Sequence, residues 1–401
     1  MKILIIGNGI AGLSAAEEIR KKNKEVDIQI ISKENYHTYY RTQLSHFLSK
    51  DFNVEEIYVK PEKWYIENNI IVHFNTEVLN INKDKRKVKL SNNQVLDYDK
   101  LLFANGAHSF IPPIEGYNKD GIFSLRNYED LEKIQQYAKS VNKGIVVGGG
   151  LLGLEVANSL QKLGMDILVI EFFDRLLPRQ LDAEASQVLI NMVQQKGIKL
   201  LLGTQVESIY GKDKVEGCKI RDGKSIDASM VLFSTGVRPN ITLAKETGLE
   251  INRAIIVDKY MNTSEKNIYA AGDVCEFDQN LPAIWTVAAE QGKVAGVNMI
   301  GEKRVYKAII PSNMLNIMGN KVFSIGDIGT EDKNNYQIIK KINEKDNIFQ
   351  KFFFIKGKLV GGILINDISL AGKLKKLIIL EEDYTELLRK DISQEEKIKL
   401  L

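Results

Sequence analysis

The sequence predicts an α/β fold: two domains built from βαβ units on parallel sheets, followed by a small α+β C-terminal unit. Three observations carry that expectation. "ILIIGNGIAGLSAAEEI", residues 3–19, sets a strand-length apolar run, a glycine turn and a helical pattern in succession. "VVGGGLLGLEV", residues 146–156, repeats the arrangement. From about Tyr306 the texture changes to alternating apolar runs, "KVFSIGDIG" and "FQKFFFIKGKLVGGILI", which read as antiparallel strands.

The elements follow in order. Ile3–Ile6 reads as a buried parallel strand, Leu13–Arg20 as the helix after it and Ile28–Ser32 as the next strand. "VKLSNNQVLDYDKLLFANGA" (88–107) reads as a hairpin with an Asn-Asn turn feeding a strand Leu101–Ala104. "SFIPPIEG" (109–116) is the best linker, with two prolines beside a glycine. The pattern then restarts: a helix around Asp130–Val141, a strand Ile145–Val147, the second glycine turn with its helix, and a strand Ile167–Ile170. Alternation of this kind means parallel sheets. "ELLRKDISQEEKIKLL", 386–401, reads as a charged helix or a frayed tail.

Composition narrows the class. The 401 residues suggest more than one domain, and 44% hydrophobic with 27% charged residues is a globular balance. A net charge of +3 with both signs abundant lacks the basic excess of a nucleic-acid binder. No apolar run is long enough to cross a bilayer. The apolar stretch at the start is only strand-length and runs into a glycine turn, so a mature, cytoplasmic N-terminus is expected. The two cysteines, Cys218 and Cys275, are far apart in sequence and make neither a metal-ligand spacing nor a disulfide framework, and both read as packed, inert thiols.

The glycines carry the chemistry. Gly7, Gly9 and Gly12 are spaced G-x-G-x-x-G between a strand and a helix, and Gly148, Gly150 and Gly153 repeat that spacing. The first glycine makes the tight turn, the second admits a pyrophosphate to the backbone, and the third lets helix and strand pack closely. The helix N-terminus then presents free N–H groups to the phosphates. Two such turns predict two Rossmann-like dinucleotide-binding domains. A ribose-binding acid is expected about 20 residues past the last glycine. Glu171 stands 18 residues past Gly153 at a strand end, which favours NAD over NADP at the second site. For the first site the equivalent strand end is Ser32, and the acid, Glu34, is displaced by two residues.

Together with "LLFANGA", "LFSTGVRPN" (232–240) and "IYAAGDV" (268–274), these motifs resemble the FAD-dependent pyridine nucleotide-disulfide oxidoreductase superfamily over roughly residues 1–300. The resemblance implies that the first fingerprint takes FAD and the second NADH. It also implies that Asp273 holds the ribityl chain, and that the flavin domain is split, covering 1–110 and 230–300 around an NAD domain at 111–229. "YYRTQLSHFLSKDF" (39–52) holds none of the redox cysteines of the disulfide reductases, so electrons must leave the flavin directly. "YRTQLS", with Arg41, is similar to a segment of flavoproteins that reduce small iron–sulfur proteins. There a lysine pairs, near flavin N5, with a glutamate two residues past the second fingerprint. The glutamate is present as Glu155, and His46 replaces the lysine. "PAIWTVAAEQGKVAG" (282–296) is similar to the segment covering the flavin pyrimidine edge, where Trp285 is placed.

The C-terminal unit, 301–385, resembles the third domain of NADH:rubredoxin reductases and of nitrite reductase flavin modules. The resemblance implies an NADH oxidoreductase with rubredoxin, or a similar small acidic electron-transfer protein, as acceptor. Lysines 340 and 341, and 373, 375 and 376, are the expected docking charges. A ferredoxin-type reductase and a nitrite or nitric-oxide pathway component are alternatives of the same class. An NADH-sensing flavoprotein that switches binding partners is the alternative of another class.

Overall fold

The computed structural model describes residues 1–329 and 335–401. The chain divides into two compact units. The first comprises 1–43, 52–109 and 236–309, and the second 44–51, 110–235 and 310–401.

The first unit is built on a five-stranded parallel sheet. Its order is Ile268–Ala270, Lys100–Phe103, Lys2–Ile6, Asp27–Ile31 and Ile70–His73. Ile3, Leu4 and Ile5 are all buried, as a strand covered on both faces requires. The helix Ile10–Lys22 follows the first strand and is covered by the helix Trp285–Met299. Their contact is made by glycine. A Cβ on Gly292 would stand 2.2 Å from the Ala11 carbonyl oxygen, and one on Gly296 2.5 Å from that of Ala15. The two glycines meet the two alanines in the same chain order, so both helices run in the same direction and their N-termini point the same way. The hairpin expected at 88–107 is present as Lys87–Leu90 and Val95–Asp97, with Asn93 left-handed in the turn.

The second unit contains another five-stranded parallel sheet, ordered Lys199–Leu201, Asp166–Ile170, Lys143–Val147, Met230–Phe233 and Ile122–Phe123. It also holds an antiparallel five-stranded sheet, ordered Ser312–Ile317, Asn320–Gly326, Lys358–Ile365, Ile348–Ile355 and Gln337–Asn343. Three helices, Ala371–Leu380, Thr385–Arg389 and Gln394–Leu400, contribute to its core around Phe352, Phe354, Leu364 and Leu374.

Two boundaries differ from the expectation, and the last segment proves to be packed. Met230–Phe233 pairs with Lys143–Val147, so the chain returns to the first unit at Gly236 rather than at 230. Residues 301–309 stay with the first unit, and the α+β sheet begins beyond Ile310. The segment 386–401 is helical at Gln394–Leu400, as the charged-helix reading has it, and it is packed rather than frayed. Ile398 and Leu401 are buried in the C-terminal core, and the Lys397 ammonium donates to the Leu388 carbonyl.

Two glycine cradles and a buried glutamate

The two fingerprints take the same shape. Gly7 and Gly148 are left-handed (φ 110° and 118°). A Cβ at either would press within 2.4 Å of a carbonyl oxygen, of Ala104 or Ser234. At Gly12 and Gly153 a Cβ would run into the carbonyl oxygen of the first glycine, at 2.2 and 2.0 Å. Gly9 and Gly150 differ: a Cβ there would meet nothing within 4 Å, because these residues face open space. Each is also the N-cap of its helix, without a side-chain cap and without an acid in the first turn. The helices Tyr128–Ala138 and Ala183–Gln195, by contrast, are capped by Asn127 and Asp182. Two helix ends thus keep their first N–H groups for something other than the chain, next to a cavity kept clear by a missing side chain. A pyrophosphate fits both.

Around the first cradle, Glu34 accepts hydrogen bonds from the Tyr39 hydroxyl and from Arg41. Burial works against the Arg41 charge, but Tyr39, Glu34 and Asp273 outweigh it and hold the guanidinium firmly protonated. Asp273 follows the left-handed Gly272, whose N–H donates to Gln291 Oε1 at 2.9 Å. That bond ties the loop to the helix Trp285–Met299. Trp285 opens this helix, with its indole beside the Tyr40 ring (centroids 5.6 Å apart) and no side-chain cap over the first turn.

Around the second cradle, Glu171 is buried at the end of its strand. Its Oε2 accepts the Gly149 N–H at 2.5 Å and its Oε1 the Phe173 N–H at 2.9 Å. The acid that the spacing singles out therefore also fixes the glycine turn. Each carboxylate oxygen keeps a further lone pair for a hydroxyl donor.

His46 and Glu155 come together, though not as a simple pair. The short helix Leu44–Phe47 is fastened into the second unit: Ser159 donates to the Ser45 carbonyl at 2.6 Å, and Gln135 donates to the carbonyls of Phe47 and Lys50. The direct partner of Glu155 is Ser45, whose hydroxyl donates to Oε2 at 2.6 Å. His46 Nε2 stands 3.7 Å from Oε1, on a ring that is 45% exposed. Burial raises the pKa of Glu155, while the Ser45 bond and the His46 charge pull it down without cancelling the rise. Sequence reasoning missed Ser45, which lies inside the quoted segment but 110 positions from its partner.

Both cysteines are buried. Burial pushes the Cys218 thiol up to about 11 and that of Cys275 higher still, far from a reactive thiolate. Among the described residues no cluster of side chains could hold a metal ion, and no helix is long and apolar enough to cross a membrane.

Residues 1–292 match the model of the pyridine nucleotide-disulphide oxidoreductase family, and 311–382 that of the rubredoxin NAD+ reductase C-terminal domain. The chain is 36% identical to a nitrite reductase [NAD(P)H] of Bacillus subtilis over 98% of its length, which is 49% of that relative. It is 34% identical to an NADH-rubredoxin oxidoreductase of Clostridium acetobutylicum over 94% of both chains. The first curated relatives it matches are thus about twice the length that the chain spans. Among solved structures, NADH:rubredoxin oxidoreductase from C. acetobutylicum matches with a TM-score of 0.83 at 31% identity, over 100% of this chain and 99% of that one. A NAD-dependent persulfide reductase from A. fulgidus matches with a TM-score of 0.89 at 29% identity, over 98% and 79%. The chain belongs to the pyridine nucleotide-disulphide oxidoreductase family.

Proposed function

We propose that this chain passes electrons from NADH to a small one-electron acceptor protein, with rubredoxin the leading candidate. The observation that carries the reading is the absence of a working thiol: the two cysteines are buried and held protonated, and neither lies in the segment 39–52. The matches to an NADH-rubredoxin oxidoreductase along nearly its whole length, and to the rubredoxin reductase C-terminal domain, support the choice of acceptor.

Bound FAD supplies a two-electron acceptor for the hydride of NADH and a one-electron donor to the acceptor protein. The chain's own contribution is position and charge. Gly9 and Gly150 leave room for the pyrophosphates, and the uncapped helix ends bind them. In this reading Glu34, Arg41, Asp273 and Trp285 hold FAD, and Glu171 accepts from the adenosine ribose of NADH. Glu155 accepts from Ser45, and burial raises its pKa above the ordinary carboxylate range.

Coverage of the nitrite reductase relative favours a second reading, in which the chain feeds a larger reductase. NADH consumption by FAD-loaded protein against rubredoxin, ferredoxin, flavodoxin and dioxygen tests both. Rubredoxin should support the fastest turnover. Turnover with none of them would sink the rubredoxin reading. Stalling after a single equivalent of NADH would instead mark a sensor.

A further inference from the structure

Lys351 is an unusual residue for a sheet strand. It lies in Ile348–Ile355, its side chain is 10% exposed, and its ammonium is held by two carboxylates from elsewhere in the chain. Asp182 Oδ2 is 2.5 Å away and Glu184 Oε2 2.9 Å. Lys340, on the neighbouring strand, binds the other oxygen of Glu184 at 2.8 Å. Burial alone would lower the pKa of Lys351, and the two carboxylates overcome it and raise it, so the ammonium stays charged. A buried, paired charge is costly to break, because the remaining partners are left without compensation.

What this cation holds is the far end of the loop that leaves Glu171. The loop spans 171–182 and touches the second cradle at Glu171, Leu176 and Leu177. Glu171 accepts the Gly149 N–H, and the Leu177 N–H donates to the Gly149 carbonyl at 3.2 Å. A Cβ on Gly149 would collide with Leu176 at 2.7 Å. Leu176, Leu177 and Leu181 are fully buried. Leu177 is left-handed (φ 49°), a conformation that a leucine adopts only where its surroundings impose it. The loop ends at Asp182, whose two oxygens do different work. Oδ1 caps the helix Ala183–Gln195 through the Ala185 N–H at 2.9 Å, and Oδ2 takes Lys351. A strained loop that carries Glu171 at one end is therefore clamped at the other end by a buried lysine of the C-terminal sheet.

We infer that Lys351 is a positioning residue for the NADH cradle: through Asp182 it holds the 171–182 loop, and hence Glu171, in the geometry that receives the adenosine half of the dinucleotide. The inference rests on the assignment of NADH to the second cradle. It means that the C-terminal sheet supports the nucleotide site as well as whatever acceptor it meets.

ADP-ribose, which carries the adenosine ribose and pyrophosphate but no nicotinamide, is the probe. Its binding to FAD-loaded protein is read by titration calorimetry. Lys351→Met removes the charge at similar volume. Asp182→Ser keeps a helix-capping oxygen and removes the carboxylate, so it breaks the clamp from the other side without uncapping the helix. Both variants should bind ADP-ribose roughly tenfold more weakly, the scale expected when a site's supporting shell is loosened. Lys351→Arg should restore most of the affinity, which a role in packing alone would not predict. FAD content should be unchanged in all three. If Lys351→Met folds poorly, Asp182→Ser decides. Parent-like affinity in Asp182→Ser overturns the inference while leaving the cradle assignment intact. Failure of the parent protein to bind ADP-ribose overturns both.

Discussion

Ser45 donates a 2.6 Å hydrogen bond to the buried carboxyl of Glu155, while the neighbouring His46 stays 3.7 Å from the same group and half exposed. The family resemblance points to a cation opposite this glutamate, and the fold supplies a hydroxyl. Ser45→Ala should therefore disturb the site more than His46→Gln. Losing a donor to a buried carboxyl costs about 1–3 kcal/mol, so Ser45→Ala should slow NADH-dependent flavin reduction by on the order of tenfold. His46→Gln, on a half-exposed ring, should change it by less than about threefold. Stopped-flow flavin absorbance measures both, and the reverse ranking would restore His46 as the working partner.

The same glutamate gives a pH dependence with a definite sign. Burial raises the folded pKa of Glu155 above its unfolded value. Between those two values the folded chain binds a proton that the unfolded chain has lost. Its contribution to stability is therefore complete below the unfolded pKa, falls as pH rises toward the folded one, and then levels off. Glu155→Gln should match the parent's unfolding midpoint near pH 4, about the unfolded carboxylate value, and exceed it near pH 8. A constant offset between the two proteins across that range would show that folding does not shift the pKa of Glu155.

Glycine positions within one fingerprint should differ in what they break. Gly9 and Gly150 have φ of −91° and −79°, which alanine adopts freely, and their Cβ would enter open space. Gly9→Ala should fold and lose FAD, and Gly150→Ala should fold, keep FAD and lose NADH affinity, each by about tenfold or more where a pyrophosphate must approach the backbone. Gly12→Ala and Gly153→Ala place a Cβ about 2 Å from a carbonyl oxygen and should instead cost folding, by several kcal/mol. Retention of full FAD content by Gly9→Ala would contradict the cradle.

Glu171 should set the choice of donor. A 2′-phosphate would bring negative charge to a buried carboxylate already committed to Gly149 and Phe173. The parent should prefer NADH clearly by kcat/KM. Glu171→Gln keeps an acceptor for one N–H and removes the charge, so the NADH to NADPH ratio should fall about tenfold. Equal kcat/KM for the two donors in the parent would remove the basis of the assignment.

These sites were legible to different depths, for physical reasons. Gly7, Gly12, Gly148 and Gly153 stood out because a turn and a close helix approach admit no other residue, and that demand is local. Glu171 was legible because strand and helix lengths fix its distance from the turn. Ser45 with Glu155, and Lys351 with Asp182, were not. Those partners lie 110 and 169 residues apart, and polar pairing across a fold leaves no periodic trace. A fully buried parallel strand such as Met230–Phe233 reads alike in either sheet, so its sequence does not say which one it joins. In the last segment the helix is legible, and its many charges mask only the packing of the two apolar anchors, Ile398 and Leu401.

The lysines expected to dock an acceptor divide in the structure. Lys340 and Lys341 are taken up by Glu184 and Glu395 and are withdrawn as docking candidates. Lys373, Lys375 and Lys376 remain. They are exposed on the helix Ala371–Leu380, whose Leu374 and Leu377 face the core, and among the described residues no carboxylate pairs with them. Three neighbouring like charges repel one another, so they add nothing to the stability of the helix they sit on. An acidic acceptor would relieve that repulsion and be drawn in by it. Steering of this kind raises the encounter rate without tight binding, which suits a partner that must leave after one electron. Rubredoxin reduction should therefore slow steeply as salt rises past about 0.1 M, where screening sets in over roughly 10 Å. Replacing all three lysines by glutamate should raise the apparent KM for rubredoxin by on the order of tenfold at low salt and flatten the salt dependence. Flavin reduction by NADH in the same variant should be unchanged, since none of these lysines belongs to either glycine fingerprint. Normal low-salt rubredoxin reduction by the triple variant would move the docking surface elsewhere on the chain.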